Sequence, residues 1–456
     1  MRAAILGVAL VVSQSLAATA EPTKFQAVLA GHAVLPAATT IAPPADAPAA
    51  FKVSGRFTDP NGSRVDTIGA LDGTSFLSAK GFARKTGFKL PIEGQPIQGF
   101  SGIKAAGDGT YWVLTDNGFG AKGNSPDAML MFHKIKPDWA TGQVERSATF
   151  FLHDPNRKVP FRIVNEATDK RYLTGADFDI ESIQPIGADI WFGDEFGPYL
   201  IKTDAAGKVL AVLETTIDGK PARSPDHYAV STPAVPGGDV AFNVRRSRGY
   251  EGMAASKDGK VLFPLLEGPI WNSETKEWEK VEGKEVLRIL EFSTADSKWT
   301  GRHWKYPLEL AGNNIGDFNM INAATALVIE RDNGEGTADK ACPSDKLSVD
   351  CFNIPARFRR IYKIEMSDAN AGGLVRKIGY IDLMDINDPK KVAKQGGSEG
   401  KLTFPFVTIE NVDVVNDSQM IVANDNNFPY SAGREPQKQD DNEFILLDVP
   451  EFLKAK

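Results

Sequence analysis

Residues 99–118 read GFSGIKAAGDGTYWVLTDNG, and this stretch decides the fold because its pattern occurs five times along the chain. An alternating strand leads to the polar turn Asp108-Gly109, and a second apolar strand then ends at Asp116, which predicts a β-hairpin. The other four copies are FDIESIQPIGADIWFGDEFG from Phe178, GYEGMAASKDGKVLFPLLEG from Gly249, IGDFNMINAATALVIERDNG from Ile315 and TIENVDVVNDSQMIVANDNN from Thr408. A hairpin that recurs in this way indicates a repeat fold.

Further β-like runs lie between the copies, at 287–292, 360–364 and 378–383. Each unit can therefore carry about four short strands, which is the composition of a propeller blade. Together with the divergent region 25–95 and a C-terminal strand at 443–447, the five copies predict an all-β, six-bladed β-propeller. Seven or five blades are alternatives, and two stacked sandwich domains are a further one.

The overall composition agrees with a soluble globular protein. The chain has 456 residues, 52 Lys plus Arg against 59 Asp plus Glu, a net charge of −7 and 42% hydrophobic residues. The weak acidity argues against a nucleic-acid binder, which would carry a basic surface. Beyond the N-terminus no stretch has the roughly 18 apolar residues of a membrane span. We expect a monomer, a single domain over 21–456, and a small-molecule partner.

The N-terminus has the pattern of a secretory signal peptide. Arg2 supplies a positive charge, 3–12 is an apolar run too short to span a bilayer, and Ala18 to Ala20 forms a small-x-small cleavage site. We expect residues 1–20 to be removed after Ala20, with export to the periplasm or beyond. A buried N-terminal helix and a membrane anchor are the alternatives.

Cysteine usage fits an exported protein. Cys342 and Cys351 are the only two cysteines in the chain, and they lie in a polar segment. In an oxidising compartment they can pair across a short loop, so we expect a disulfide without a catalytic role.

The acidic residues of the hairpins are expected to converge. In an antiparallel hairpin the start of the first strand and the end of the second lie at the same end, so Glu181 should neighbour Asp194-Glu195. The same geometry pairs Glu251 with Glu267, Asp317 with Glu330, Glu410 with Asp425 and Ser101 with Asp116. If the hairpins are the inner strands of successive blades, these acids surround one mouth of the central channel. The predicted metal ligands are Asp116, Glu181, Asp194, Glu195, Glu251, Glu330, Glu410 and Asp425.

Such a ring of like charges needs compensation, because each carboxylate raises the pKa of its neighbours. Ca²⁺ takes 6 to 8 oxygen ligands, whereas zinc or copper would require His or Cys, and the chain has only five His. Arg248 and Arg331 lie beside the acids and can clamp an anion. The alternatives are that the acids only close turns and that the arginines only neutralise them. Strand alternation could also direct Arg331 away from the channel.

Several short motifs occur in a fixed order: Gly99-Phe100-Ser101-Gly102 with Leu114-Thr115-Asp116-Asn117-Gly118, Ile180-Glu181-Ser182 with Gly193-Asp194-Glu195-Phe196-Gly197-Pro198, Arg248-Gly249-Tyr250-Glu251-Gly252, Ile329-Glu330-Arg331-Asp332, and Ile409-Glu410-Asn411 with Asn424-Asp425-Asn426. In these motifs the chain resembles the phytase-like family of exported bacterial proteins, described by an esterase-like activity of phytase. The resemblance implies a β-propeller, phosphoric-ester hydrolysis and a calcium cluster over the channel. The fourth copy departs from the pattern at Asp317-Phe318.

These observations predict an exported, metal-dependent phosphoric-ester hydrolase with calcium as its cofactor. Glu181, Glu251 and Arg248 are the expected catalytic residues, and Arg248 and Arg331 are expected to bind an anionic ester. A carboxylic esterase or lactonase that uses the same site is one alternative. A non-catalytic binding propeller stabilised by calcium is another.

Overall fold

The computed structural model describes residues 21–232 and 240–456, and nearly all of its regular structure is β-strand. The predicted signal peptide, residues 1–20, lies outside the described residues. Within the two described ranges no helix is both long and apolar enough to cross a membrane.

The predicted propeller is confirmed, and each blade consists of four strands joined by antiparallel pairing. Blades 1 to 4 run from the channel outward in chain order. From the inner to the outer strand, blade 1 is Phe100–Ala105, Tyr111–Thr115, Met131–Asp138 and Gln143–Phe151; blade 2 is Ile180–Ile186, Asp189–Asp194, Tyr199–Asp204 and Val209–Glu214; blade 3 is Tyr250–Ala255, Val261–Leu266, Lys284–Ser293 and Lys298–Pro307; blade 4 is Asn314–Met320, Thr325–Arg331, Arg359–Glu365 and Arg376–Asn387; blade 5 is Ile409–Asn416, Gln419–Asn424, Asn442–Asp448 and Thr23–Leu35.

The ring has five blades, not the six that were the first choice from the sequence. The inner strands of blades 1 to 5 contact one another in order, and that of blade 5 contacts that of blade 1. The N-terminal region does not form a blade of its own. Instead, Thr23–Leu35 pairs antiparallel with Asn442–Asp448 as the outer strand of blade 5, so the two ends of the chain close the ring.

Close backbone packing allows a ring of only five blades. A Cβ atom at Gly252 of blade 3 would lie 2.7 Å from the Cβ atom of Phe318 in blade 4, and one at Gly316 of blade 4 would come still closer to the backbone oxygen of Ile409 in blade 5. Larger side chains fill the space between blades further from the channel. For example, the ring centroids of Phe132 in blade 1 and Phe192 in blade 2 are 5.4 Å apart. Each interface between blades is filled by a cluster of buried apolar side chains.

Residues 36–96 cover one end of blades 1 and 5. They form three ribbons: Thr40–Ile41 with Gln95–Pro96, Val53–Ser54 with Ile92–Glu93, and Leu71–Thr74 with Lys85–Leu90. Leu90 packs with Phe119 and Phe428, which follow the second strands of these two blades. The segment therefore lies at the end of the propeller where the second strands finish.

The remaining elements are short. They are the pairs Thr216–Ile217 with Lys220–Pro221, Trp271–Asn272 with Glu277–Trp278 and Gly397–Ser398 with Lys401–Leu402, the strand Lys280–Val281, the 3-10 helices Ala49–Lys52, Ala338–Lys340 and Asp368–Asn370, and the α-helix Pro450–Lys454. Cys342 and Cys351 form the expected disulfide, in the loop between the second and third strands of blade 4.

Candidate metal centre

A β-bulge interrupts the inner strand of every blade near its start. The extra residue is Glu181 in blade 2, Glu251 in blade 3 and Glu410 in blade 5, and we call these three the bulge glutamates. In blades 1 and 4 the register shifts at Ser101-Gly102 and at Gly316-Asp317. Bulges redirect a side chain out of the regular strand pattern, and carboxylate oxygens of the three bulge glutamates lie within 4.8 Å of one another.

The ends of the second strands bring further charged groups to the same place. Glu195 and Glu267 directly follow the second strands of blades 2 and 3, and their carboxylates lie within 4.8 Å of that of Glu251. Asp179, which precedes the inner strand of blade 2, forms another such group with Glu181 and Glu195. The complete set, which we call the acidic mouth, is Asp116, Asp179, Glu181, Glu195, Glu251, Glu267, Glu410 and Asp425 with Arg248 and Arg331.

Burial perturbs the protonation of this set. It raises the pKa of Glu181, Glu195 and Glu251 well above the usual glutamate range, and the neighbouring carboxylates raise each pKa further. The same two causes raise the pKa of Asp116 and Asp425, which repel each other. The folded protein therefore resists full ionisation of the acidic mouth unless a cation is present.

The two arginines compensate only part of this charge. Arg331 donates from Nη2 to Glu410 Oε1 at 2.8 Å, and Arg248 forms an ion pair with Glu267. Ser101 Oγ donates to the second carboxylate oxygen of Glu410 at 2.7 Å. Eight carboxylates thus face two guanidinium groups, and six of these carboxylates lack an arginine partner in the described part of the chain.

Three buried atoms in the acidic mouth have no hydrogen-bond partner among the described residues. They are Oε1 of Glu195, Oε1 of Glu251 and Nε of Arg331. The two glutamates are only 6% and 5% exposed, and Arg331 is 5% exposed. A buried polar atom without a partner is costly, so unpaired acceptors and an unpaired donor at one place fit the binding of both a cation and an anion.

Two predicted ligands lie outside the acidic mouth. Asp194 and Glu330 each precede by one residue the position that faces the channel, and strand alternation directs them into the blades. Asp194 Oδ1 accepts the backbone N–H of Asp179 at 2.8 Å. Glu330 Oε2 accepts from Tyr306 at 2.7 Å and from Lys377 at 2.9 Å. The structure therefore places Arg331, not Glu330, at the mouth.

Two residues of the mouth were missed as ligands. Glu267 was expected next to Glu251, but it was not assigned to the metal. It holds in blade 3 the position that Glu195 holds in blade 2, so alignment of the hairpins on their strand ends would identify it. Asp179 has no acidic counterpart in the other copies, and the repeat pattern therefore gives no signal for it.

Asp317, whose role the sequence left open, lies in the bulge region of blade 4. Its carboxylate accepts backbone N–H groups from Phe318 at 2.8 Å and from Val412 at 3.1 Å. Burial raises its pKa to about 7. These bonds tie blades 4 and 5 together, so we assign Asp317 to the structure of the channel.

Comparison with known families finds a match over most of the chain. The model of the phytase-like family, described as esterase-like activity of phytase, matches residues 95–428. This range contains blades 1 to 4 and the two inner strands of blade 5, and it leaves out Asn442–Asp448 and the residues before 95. No curated protein matches the chain.

Solved structures with related shape have low sequence identity. A luciferin-regenerating enzyme is 9% identical, with 77% of this chain and 93% of that chain covered and a TM-score of 0.31. A putative 6-phosphogluconolactonase from Bacteroides fragilis is 12% identical, with 77% and 86% covered and a TM-score of 0.30. The glutaminyl cyclase of Myxococcus xanthus is 10% identical, with 77% and 91% covered and a TM-score of 0.32.

Proposed function

The chain belongs to the phytase-like family, and from this premise we propose that it is an exported, calcium-dependent hydrolase of phosphoric esters that acts at the acidic mouth. The family match supports a hydrolase. Our proposal goes further in three respects, namely the cation, the ester class and the export, and each has its own support. The export is supported by the disulfide between Cys342 and Cys351 and by the N-terminal sequence pattern.

The donor set favours a hard divalent cation. Its members offer carboxylate oxygens, and no His or Cys belongs to the acidic mouth as the described residues define it. Oxygen-only donors are typical of Ca²⁺, whereas Zn²⁺ takes nitrogen and sulfur ligands. Glu181, Glu195 and Glu251 each belong to two of the close carboxylate groups, so we assign them as the central ligands. When bound, the ion would polarise a phosphoryl oxygen and lower the pKa of a water molecule.

The arginines are suited to bind the anionic part of the substrate. Arg331 presents a buried Nε–H that finds no acceptor among the described residues, and a phosphoryl oxygen would satisfy it. The side chain of Arg248 is 34% exposed, so its guanidinium can meet a substrate that enters from solvent. Hydrogen bonds between guanidinium and phosphate are charge-assisted and add orientation as well as affinity.

The proton transfers fall to carboxylates. Among the bulge glutamates, Glu410 is paired with Arg331, while Glu181 and Glu251 have no basic partner within 4.0 Å in the described ranges. As water attacks phosphorus and the ester P–O bond breaks, one of these two carboxylates accepts the proton of the water and returns it to the departing alkoxide. Burial of the site strengthens these electrostatic interactions.

The observation that carries the proposal is the joint presence of the unpaired acceptors on Glu195 and Glu251 and the unpaired donor on Arg331. The experiment is turnover of a substrate panel, with 4-nitrophenyl phosphate, bis-(4-nitrophenyl) phosphate, 4-nitrophenyl acetate and a γ-lactone, in EGTA and in Ca²⁺. We expect hydrolysis of a phosphate ester that EGTA abolishes and Ca²⁺ restores.

Other results of the same panel reject the proposal in distinct ways. Full phosphatase activity in EGTA would remove the cation from the reaction. Turnover of the acetate or the lactone alone would assign the site to carboxylic esters. A calcium-dependent rise in melting temperature without any turnover would make the ion structural and the protein a binding propeller.

A further inference from the structure

A cleft of about 760 Å³ is formed by the connections of blades 2 and 3. Its walls come from residues 217–223, which follow the outer strand of blade 2, from 241–243, and from 270–280, which follow the second strand of blade 3. Arg288, on the third strand of blade 3, completes the cleft. Every described residue that lines it is outside the acidic mouth. The volume is typical of a pocket for a small organic ligand.

Two tryptophans give the cleft an aromatic wall. Trp271 and Trp278 are opposite each other in a two-stranded ribbon, so both side chains lie on the same face of that ribbon. Their ring centroids are 5.1 Å apart, and both residues are partly exposed. Phe242, which is 38% exposed, lines the cleft as well. These rings present an apolar surface to a ligand.

The aromatic wall is held in position by contacts behind it. The backbone N–H of Trp271 donates to the backbone oxygen of Asn243 at 2.9 Å. The guanidinium carbon of Arg245 lies 4.3 Å from the ring centroid of Trp278, and Arg245 Nη2 donates to Glu285 Oε1 at 3.2 Å. A cation over an indole restricts the orientation of the ring. A wall that is ordered in advance loses little conformational entropy when a ligand binds.

Two arginines bring hydrogen-bond donors to the polar side of the cleft. Arg288 is 7% exposed, and it donates from Nε to Glu279 Oε2 at 2.6 Å and from Nη2 to Asp218 Oδ2 at 3.3 Å. Its Nη1 has no partner among the described residues, and neither has the buried Nε of Arg223. A buried donor without an acceptor is costly, so these two positions favour a ligand that carries oxygen acceptors.

The charge of the lining favours an uncharged ligand. Four acidic and four basic side chains line the cleft, so the lining has no net charge. Asp218 and Glu279 are paired with Arg288, and Glu279 Oε1 also lies 3.1 Å from Lys305 Nζ. An ionic ligand would lose its hydration here without gaining an excess of opposite charge.

We propose that this cleft binds a neutral saccharide. A sugar ring has an apolar face of C–H groups and an edge of hydroxyl groups. The face packs on Trp271 and Trp278, while hydroxyl oxygens accept from Arg223 and Arg288. The site is separate from the acidic mouth and does not depend on the function proposed for it, and no covalent step takes place in the cleft.

The test is titration calorimetry of the wild-type protein with three neutral oligosaccharides, maltotetraose, cellotetraose and tri-N-acetylchitotriose. We expect at least one of them to bind with a dissociation constant below about 1 mM. Trp271→Ala and Trp278→Ala should each weaken that affinity at least about tenfold, because the sugar loses its apolar surface. Arg223→Gln leaves the aromatic wall intact and should weaken the affinity about tenfold through the loss of a charged donor.

Trp112→Ala is the matched control. Trp112 is also partly exposed and also has a cation over its ring, Lys134 Nζ at 5.8 Å from the centroid, but it belongs to blade 1. We expect its loss to leave the sugar affinity at the wild-type value. If either cleft tryptophan variant fails to fold, Arg223→Gln decides, and wild-type sugar affinity in that variant would overturn the inference.

Other results reject the saccharide site outright. Absence of binding of all three sugars to the wild type would do so, as would an equal loss of affinity in Trp112→Ala and in the cleft variants. Binding of a decaproline peptide and of no sugar would assign the aromatic wall to a peptide instead. Because calorimetry measures binding and not turnover, each of these results is independent of whether the acidic mouth hydrolyses phosphate esters.

Discussion

Replacing Glu251 with Gln should change stability and calcium affinity in opposite directions. Its carboxylate oxygens belong to two close groups, one with Glu181 and Glu410 and the other with Glu195 and Glu267. Without calcium, Glu251 adds repulsion to these neighbours, and the nearby Arg331 offsets only part of it. With calcium, the same charge becomes a ligand. Gln preserves the shape of the side chain and removes the charge, so it separates the two effects.

The size of the effect follows from the spacing. Two unit charges 4.8 Å apart repel by roughly 3.5 kcal/mol at an effective dielectric constant of about 20. At pH 7 the unfolded chain has Glu251 ionised, so folding without metal either keeps this repulsion or takes up a proton. Either course lowers the free energy of unfolding, and we expect metal-free Glu251→Gln to be more stable than wild type by about 1–3 kcal/mol. Its calcium dissociation constant should rise at least about tenfold.

The assay is urea denaturation at pH 7 with EGTA and with calcium, combined with calorimetric calcium titration. Glu330→Gln is the control, because Glu330 is equally buried but is paired with Lys377 and Tyr306 outside the mouth. It should lose about 3 kcal/mol with or without calcium and bind calcium normally. A Glu251→Gln protein with wild-type calcium affinity and no gain in metal-free stability would refute the convergence of charges at the mouth.

Three further changes test other parts of the account. Arg331→Gln removes the buried positive charge that is paired with Glu410, so calcium should bind several-fold more tightly. At the same time kcat/KM for 4-nitrophenyl phosphate should fall at least about 100-fold, because the substrate loses its guanidinium contact. If calcium affinity and kcat/KM both fell, Arg331 would only hold the fold. Burial raises the pKa of Asp317 to about 7, so its folded form keeps a proton that the unfolded chain loses near pH 4, and stability should fall as pH rises through this window. Urea denaturation of Asp317→Asn between pH 4 and 8 should lack that part of the slope, and an unaltered slope would contradict the assignment. The double variant Cys342→Ser, Cys351→Ser should lose about 2–3 kcal/mol of stability and keep its turnover, since it opens only a short loop. Loss of activity in the folded variant would show that the disulfide has a functional role.

The hairpins could be predicted from the sequence because turn and strand periodicity are local properties. All five copies form the two innermost strands of a blade, as the pattern around residues 99–118 indicates. The number of blades could not be predicted in the same way. Thr23–Leu35 completes blade 5 through pairing with Asn442–Asp448, and no local pattern reveals a partner at the other end of the chain.

The site was predictable to within one residue along each strand. The carboxylates of successive hairpins converge, as the repeat predicts, but strand alternation decides which of two adjacent side chains at the end of a second strand faces the channel, and the repeat does not fix that choice. This is why Glu195 and Arg331 lie at the mouth while Asp194 and Glu330, one residue earlier, do not. Asp179 lies there because of the path of a single loop, which the repeat does not encode.

The central claim is that carboxylates from several blades hold a cation at one point, and an anomalous difference map from crystals of the calcium-loaded protein tests it most directly. The account predicts a calcium peak about 2.3–2.6 Å from carboxylate oxygens of Glu181, Glu195 and Glu251. A map at saturating calcium with no peak at the acidic mouth would contradict it.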